Sequence, residues 1–352
     1  MINQKKVAVV LFNLGGPKDL ASVKGFLFNL FYDKAIINLP RPFRWMVAKL
    51  ISSRREKKAK AIYELIGGKS PILENTQSQA DNLQIQLKKF GNFKVYISMR
   101  YTKPNSSDLL KQLENYKPDE VILLPLYPQF STTTTGSSVK DFLAKAKNKY
   151  PIKTVCCYPT NNGFIAAYGK LIEEKIENTY LGEYRILFTA HGLPKKIIKA
   201  GDPYQWQVEQ TAKEINLYLE KKIRDTVICY QSKVGPLEWL GPNTESEIIR
   251  GSKEKKRLII VPLSFVSEHS ETLVELDIDY QNLAIKHNCI EYIRIPTVSI
   301  QEIFIKSLAD IVLDLSTKNV VKDENLVKND LQNRICPKQF CNCISNQGAL
   351  NG

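Results

Sequence analysis

Short apolar runs rich in β-branched residues alternate along this chain with longer stretches of helical pattern. The runs are Val7–Leu14, Val95–Tyr101, Val121–Tyr127, Thr154–Tyr158, Arg185–Ala190, Thr226–Tyr230, Leu258–Phe265 and Tyr292–Pro296. Each is apolar nearly throughout instead of alternating with polar positions, as a strand covered on both faces must be. Strands separated by helices predict an α/β fold with parallel sheets.

The two halves echo each other. Val10-Leu-Phe-Asn-Leu-Gly-Gly-Pro17 resembles Ile186-Leu-Phe-Thr-Ala-His-Gly-Leu-Pro194, and Leu123-Leu-Pro-Leu126 resembles Ile260-Val-Pro-Leu263, in the same order. Chance likeness between buried strands is the plainer account; a duplicated domain is the sharper one. Phe12 to Pro125 spans 113 residues against 74 from Phe188 to Pro262, so the first half carries about 39 more. The expected division is a first domain over 1–152 with an insertion at about 29–71, a second over 153–320, and a tail over 321–352. The last helix of the second domain is expected to brace the first. The insertion sets Leu30, Phe31, Tyr32, Ile36, Ile37, Phe43, Trp45 and Met46 among Arg41, Arg44, Lys49, Arg54, Arg55, Lys57 and Lys58. Apolar bulk interleaved with cations suits a hydrophobic anionic ligand or a membrane interface, and ordinary amphipathic packing explains it as well.

Composition narrows the class. With 352 residues and 43% apolar content the chain can bury two cores. A net charge of +14 points to anions without choosing among them. Lysine is spread through the chain and no nucleic-acid-binding signature accompanies it, so no nucleic acid is expected. No stretch approaches the ~18 apolar residues of a membrane span, and the expected location is the cytoplasm or the periphery of the inner membrane. Seven cysteines, at 156, 157, 229, 289, 336, 341 and 343, form no secretory framework.

Candidate chemistry concentrates at strand ends. His191 follows an apolar run and precedes Gly192-Leu-Pro194, which puts it at the carboxyl end of a strand, where open α/β sheets place their ligands. A histidine there is either structural or a proton acceptor and metal ligand near neutral pH. His287 has no such context. After the strand Leu258–Phe265, Ser267 caps a helix carrying Glu268, His269, Glu271, Glu275 and Asp279. On a regular helix Glu268, Glu271, Glu275 and Asp279 share an arc of about 80°, with Leu273, Leu276, Tyr280 and Leu283 on another side. Stacked carboxylates repel unless water, a cation or protons relieve them. A solvated face is one reading; a path for protons or weakly held Fe(II) is the other. His269 lies off the stripe and reads as a supporting residue.

Two loops look like substrate walls. Tyr127-Pro-Gln-Phe-Ser-Thr-Thr-Thr-Thr-Gly136, with Ser131, offers hydroxyl and backbone donors to carboxylates, and a plain helix cap is its alternative. Gln231-Ser-Lys-Val-Gly-Pro-Leu-Glu-Trp-Leu-Gly-Pro242 brings Lys233 and Trp239 into a loop fixed by two Gly-Pro units.

Taken together, these segments resemble the ferrochelatases, bacterial type, across almost the whole chain. The resemblance is carried by Leu14-Gly-Gly-Pro17, Ile66-Gly-Gly-Lys-Ser-Pro-Ile72, Met99-Arg-Tyr101, Tyr127-Pro-Gln129, Thr134-Thr-Gly-Ser-Ser138, His191-Gly-Leu-Pro194, Gly201-Asp-Pro-Tyr204, Gln231-Ser-Lys-Val-Gly-Pro236, Trp239-Leu-Gly-Pro242 and Ser267-Glu-His-Ser-Glu-Thr-Leu273. It implies two Rossmann-like domains with parallel four-stranded sheets flanked by helices, the class II chelatase fold, facing each other across a porphyrin cleft. It implies insertion of Fe(II), a substrate here, into protoporphyrin IX to make protohaem. His191 and Glu271 become the catalytic and metal-touching pair, facing each other across the macrocycle, and Glu268, Glu275 and Asp279 a proton or metal relay. Tyr63, Arg54, Arg55, Arg100, Tyr127, Ser131, Lys233 and Trp239 become substrate-binding candidates. The insertion becomes a lip that in some members touches membrane, and the acidic helix carries a π-helical distortion. Neither half has Gly-x-Gly-x-x-Gly, so nucleotide binding is not implied. The proposed route bends the macrocycle, exposing pyrrole lone pairs, while His191 takes up the leaving protons.

Cys336-Pro-Lys-Gln-Phe-Cys-Asn-Cys343 adds three thiols within eight residues. By resemblance to a bacterial subset of the family, Cys336, Cys341 and Cys343 with Cys157 hold a [2Fe-2S] cluster, Cys156 being the alternative fourth ligand. The pattern of the animal members fails, because Thr132 stands where they carry cysteine. A tail with adventitious cysteines is the other account. Rival functions are a coproporphyrin ferrochelatase, a cobalt chelatase for sirohydrochlorin, and, from a different class, a noncatalytic porphyrin or haem carrier.

Overall fold

The computed structural model describes residues 5–176, 184–220, 225–317 and 335–344. The chain divides into two compact units, one of Met1–Cys157 with Leu308–Gly352, the other of Tyr158–Ser307. The first contains β1 (Lys6–Asn13), α1 (Val23–Phe31), α2 (Arg41–Glu64), α3 (Ile72–Leu87), β2 (Asn92–Met99), α4 (Ser106–Tyr116), β3 (Glu120–Pro125), α5 (Thr135–Ala146) and β4 (Ile152–Thr154). The second contains α6 (Asn162–Ile176), β5 (Tyr184–His191), α7 (Lys195–Lys199), α8 (Tyr204–Tyr218), β6 (Thr226–Gln231), α9 (Thr244–Lys253) and β7 (Arg257–Pro262). A π-helix (Glu271–Tyr280), α10 (Gln281–Lys286) and β8 (Glu291–Arg294) follow. The final helix α11 (Glu302–Thr317) joins the first unit from Leu308 onward.

Seven of the eight apolar runs coincide with strands, whereas Thr154–Tyr158 meets β4 only at Thr154. All the strand pairings are parallel, and the two sheets have the same order, β2-β1-β3-β4 and β6-β5-β7-β8. The sequence echo therefore marks the same element twice: β1 and β5 are the corresponding inner strands. Both are buried almost end to end, which is why neither alternates in polarity. The additional length of the first half lies in α1 and α2, which pack Val23, Phe26, Leu27, Tyr63 and Tyr101 into a separate apolar cluster.

The boundary expected at 152/153 falls inside β4, which pairs with β3 and so holds its residues to the first sheet; the unit extends to Cys157. Lys153 is tied there by Glu120 at 3.1 Å and by the Leu315 carbonyl of α11 at 2.6 Å. Most of the predicted tail lies outside the described residues, but Cys336 and Cys343 are buried in the first unit.

Candidate active site

The second unit gathers its chemistry at the carboxyl ends of β5 and β6 and the start of the π-helix. His191 is the last residue of β5; its N–H donates to Ser264 Oγ at 3.0 Å, and its carbonyl accepts the Tyr204 hydroxyl at 3.0 Å. Gly192 next to it is obligatory, because a Cβ would stand 2.9 Å from the Gln231 carbonyl and 3.2 Å from the Trp239 ring. Absence of a side chain lets the loop close over the strand end, with Trp239 6.5 Å from the imidazole, ring to ring. The Trp239 Nε1 is buried without a hydrogen-bond partner among the described residues.

His191 Nδ1 lies 2.8 Å from Glu271 Oε2. Burial opposes charge on both groups, yet each charge favours the other strongly enough to prevail. His191 is held above its ordinary value, and Glu271 is held down to about 2. Nδ1 thus carries the proton shared with Glu271, and Nε2 is the ring nitrogen left for other partners. His269 stands closer than the regular-helix reading allowed: its Nδ1 pairs with the Ser267 carbonyl at 3.2 Å and its Nε2 lies 3.9 Å from Glu271 Oε2. Burial lowers its pKa, so it is the neutral neighbour of the charged pair.

The direct contact corrects the expectation that His191 and Glu271 face each other across a macrocycle: both belong to the same unit, and a 2.8 Å hydrogen bond leaves no room for a ring between them. The acidic stripe is corrected too. From Glu271 the helix is π, whose i→i+5 bonding changes the angle per residue, so the regular arc does not apply. Glu268 turns instead to Arg294, at 2.6 Å, and to the Thr297 N–H, at 2.8 Å; Arg294 also grips Asp277. Burial is the largest influence on Glu268 and raises its pKa, but Arg294, Thr272 and the Thr297 N–H together hold it below its ordinary value, so it is a structural anion. Asp279 is exposed. Glu275 stays near Glu271 but is enclosed by Gln231, Ser232 and Tyr280. Those three, with Ser264 and Tyr204, are the site residues that sequence reasoning missed. Gln231, Ser232 and Tyr204 stand inside the motifs quoted above, but nothing in their spacing shows that they converge.

Lys233 is exposed on the loop after β6. The remaining candidates lie in the first unit. Arg100 pairs with Asp33 at 2.9 Å and donates to Ser137 Oγ at 2.7 Å, while the Tyr101 hydroxyl donates to Asp33 at 2.8 Å. Arg55 lies 5.8 Å over the Phe31 ring, and Arg54 is exposed. Tyr63 is only 6% exposed and packs in the α1–α2 cluster, so it is a core residue before it is a binding one. Burial raises the Tyr127 pKa. Ser131 turns inward, its hydroxyl 2.8 Å from that of Thr133.

Cys156 Sγ lies 3.0 Å from Cys343 Sγ. The Cys157 thiol is hydrogen-bonded with those of Cys156 and Cys336, and these hydrogen bonds together with burial push its pKa well up. Cys341 is exposed. Among the described residues, no three His, Cys, Asp or Glu side chains converge on a single metal position.

A sequence model of the ferrochelatase family matches residues 6–315. The chain is 56% identical to the ferrochelatase of Rickettsia bellii (strain OSU 85-389), over 97% of this chain and 96% of that one. It is 47% identical to the ferrochelatase of Pelagibacter ubique (strain HTCC1062), over 97% of this chain and 99% of that one. In fold it is similar to SirB from Bacillus subtilis with Fe3+, at a TM-score of 0.53 and 13% identity, over 89% of this chain and 96% of that one. Two four-stranded parallel sheets of one topology and this likeness establish the class II chelatase fold. With the match running through both units, the chain belongs to the ferrochelatase family.

Proposed function

We propose that the chain performs its family's reaction, insertion of ferrous iron into protoporphyrin, with His191 as proton acceptor and Glu271 as the group that holds and charges it. The observation that carries this reading is the His191 Nδ1 to Glu271 contact of 2.8 Å at a strand end. It fixes the imidazole through one nitrogen and leaves Nε2 for a pyrrole proton or the incoming metal. A neutral His191 accepts a proton and becomes an imidazolium that Glu271 stabilises, so the site gains charge where it is already compensated. Glu271 Oε1 and His191 Nε2 are the atoms able to touch iron. The face of Trp239 and its unpaired indole N–H suit a flat macrocycle with polar edges. The test is turnover of purified protein with Fe(II) and protoporphyrin, or coproporphyrin, followed as loss of the free-base spectrum. Turnover that falls in His191→Ala supports the reading, and undiminished insertion in that variant defeats it in favour of a carrier.

Two finer readings accompany it. The cysteines fit a [2Fe-2S] cluster: Cys156, Cys157, Cys336 and Cys343 are all buried in the first unit. A cluster needs two thiolates on each of two irons, not three ligands around one. Thiols whose pKa burial raises are poor thiolates alone and good ones beside a cation. Cys341 is exposed, which favours the Cys156–Cys157 pair with Cys336 and Cys343 over the set expected from the resemblance. Iron and acid-labile sulfide in anaerobically purified protein, compared in Cys156→Ser and Cys341→Ser, test this; colourless, iron-free wild type defeats it. The second reading is peripheral membrane contact through α2. Phe43, Trp45, Met46 and Leu50 are between 45% and 61% exposed beside Arg41 and Lys49. Among the described residues no helix is long and apolar enough to cross a membrane. Sedimentation with anionic vesicles, lost in Phe43→Ser/Met46→Ser, tests it.

A further inference from the structure

Glu275 is a half-buried carboxylate that the proposed reaction leaves unused. A carboxylate has about four lone-pair sites, and four donors reach this one. The Ser232 N–H and the Tyr280 hydroxyl, each at 2.9 Å, bond Oε1; the Gln231 amide at 3.1 Å and the Ser232 hydroxyl at 2.5 Å bond Oε2. Glu271 differs. Its Oε2 takes the His191 ring at 2.8 Å and lies 3.4 Å from the Ser232 hydroxyl, whose single proton already points to Glu275. No donor among the described residues reaches Glu271 Oε1.

The enclosure is built by the end of β6. Thr189 Oγ1 donates to Gln231 Oε1 at 2.9 Å, which fixes the orientation of the amide, and Gln231 Nε2 also reaches the Glu271 carbonyl at 3.2 Å. Ser232 has φ 63°, a left-handed backbone uncommon outside glycine, and this turn presents both its N–H and its hydroxyl to one carboxylate. One serine hydroxyl lies between two acids, so the two carboxylates are near neighbours.

We propose that Gln231 and Ser232, with Tyr280, are positioning residues that keep Glu275 saturated and outside the coordination of iron, so that the metal meets His191 and Glu271 alone. The inference rests on the reading of those two residues given above. Oxygen and imidazole ligands bind divalent metals more tightly as carboxylates are added. A second free carboxylate beside the first would turn a transfer site into a retention site. Saturation by hydrogen bonds removes Glu275 from competition.

Co(II) binding to the full chain without porphyrin tests this, read by calorimetry and by the visible bands of the ion. Ser232→Gly deletes the hydroxyl, and φ 63° suits glycine. Tyr280→Phe deletes a different donor with little change of volume, so the test does not depend on one variant folding. The Co(II) Kd is expected to fall at least tenfold in Ser232→Gly and several-fold in Tyr280→Phe. Addition of Glu275→Gln to either is expected to restore the wild-type value. Unchanged or weaker binding in both variants, or tight binding that survives Glu275→Gln, overturns the proposal. Iron insertion measured alongside separates the two readings. Wild type without turnover defeats the reaction, while the Co(II) titration still decides the clamp. KM for iron and kcat falling together in Ser232→Gly supports both.

Discussion

Glu271→Gln keeps the volume of the side chain and removes the negative half of the His191 pair. Glu271 sits at about 2 against an ordinary 4.5: burial, the largest influence, raises it, and His191, helped by His269 and Ser232, more than offsets the burial. At about 1.4 kcal/mol per pH unit that is about 3 kcal/mol for the pair. The two side chains are 35% and 28% exposed, so water screens the pair and about 1.5 kcal/mol is the working figure. The sign follows from the direction of each shift. Glu271 is depressed, so its contribution is complete above 4.5 and disappears as pH falls toward about 2. His191 is raised, so its contribution is complete below 6.5 and disappears as pH climbs through the raised value. Both are present between 4.5 and 6.5. For the second unit, Tyr158–Ser307, the deficit corresponds to a fall of about 3–6 °C in melting temperature. Scanning fluorimetry of wild type and variant across pH should show the gap widest near pH 5.5 and narrowing toward pH 9. A variant that melts with wild type at pH 5.5, or a gap that is constant with pH, refutes the electrostatic account.

His191→Ala should reduce iron insertion by about 10²- to 10⁴-fold while circular dichroism stays native. Arg294→Leu strands Glu268 and Asp277, and should cost about 3 kcal/mol, seen as lowered thermal stability that Glu268→Gln partly restores. Gly169→Ala would bring a Cβ to 2.1 Å from the Tyr218 ring and should destabilise by about 1–3 kcal/mol; an unchanged melting temperature would show that Tyr218 can move away freely.

The strands were legible because burial on both faces writes itself as unbroken apolar runs. The shared sheet order was legible because β1 and β5 carry the same short pattern at the same place. His191 was legible as a strand-end histidine before a Gly-Leu-Pro turn, and Gly192 gains its reason from the Gln231 carbonyl and Trp239. From its own residues the acidic helix was readable only in composition; its π-helical distortion was implied by the resemblance alone. Its angular spacing assumed α geometry, and the π-helix invalidated that from Glu271 onward. The partner of Glu268 was hidden because Arg294 lies 26 residues further on in β8, where no local pattern announces it. Ser232 was hidden because a left-handed serine looks like any loop residue until its backbone turns two donors onto one acid. Tyr63, a binding candidate only through the resemblance, packs in the α1–α2 cluster, a position that no pattern in the insertion announced.

The pH dependence of iron insertion in wild type and Glu271→Gln tests the central claim most directly, because proton acceptance requires neutral His191. Glu271 holds the wild-type imidazole above 6.5, so the acidic limb of the wild-type profile should lie above that value. With the carboxylate gone, burial prevails, and the limb should move to lower pH even where the maximum rate is reduced. A limb that stays at the same pH, or moves upward, would contradict His191 as the base that Glu271 holds.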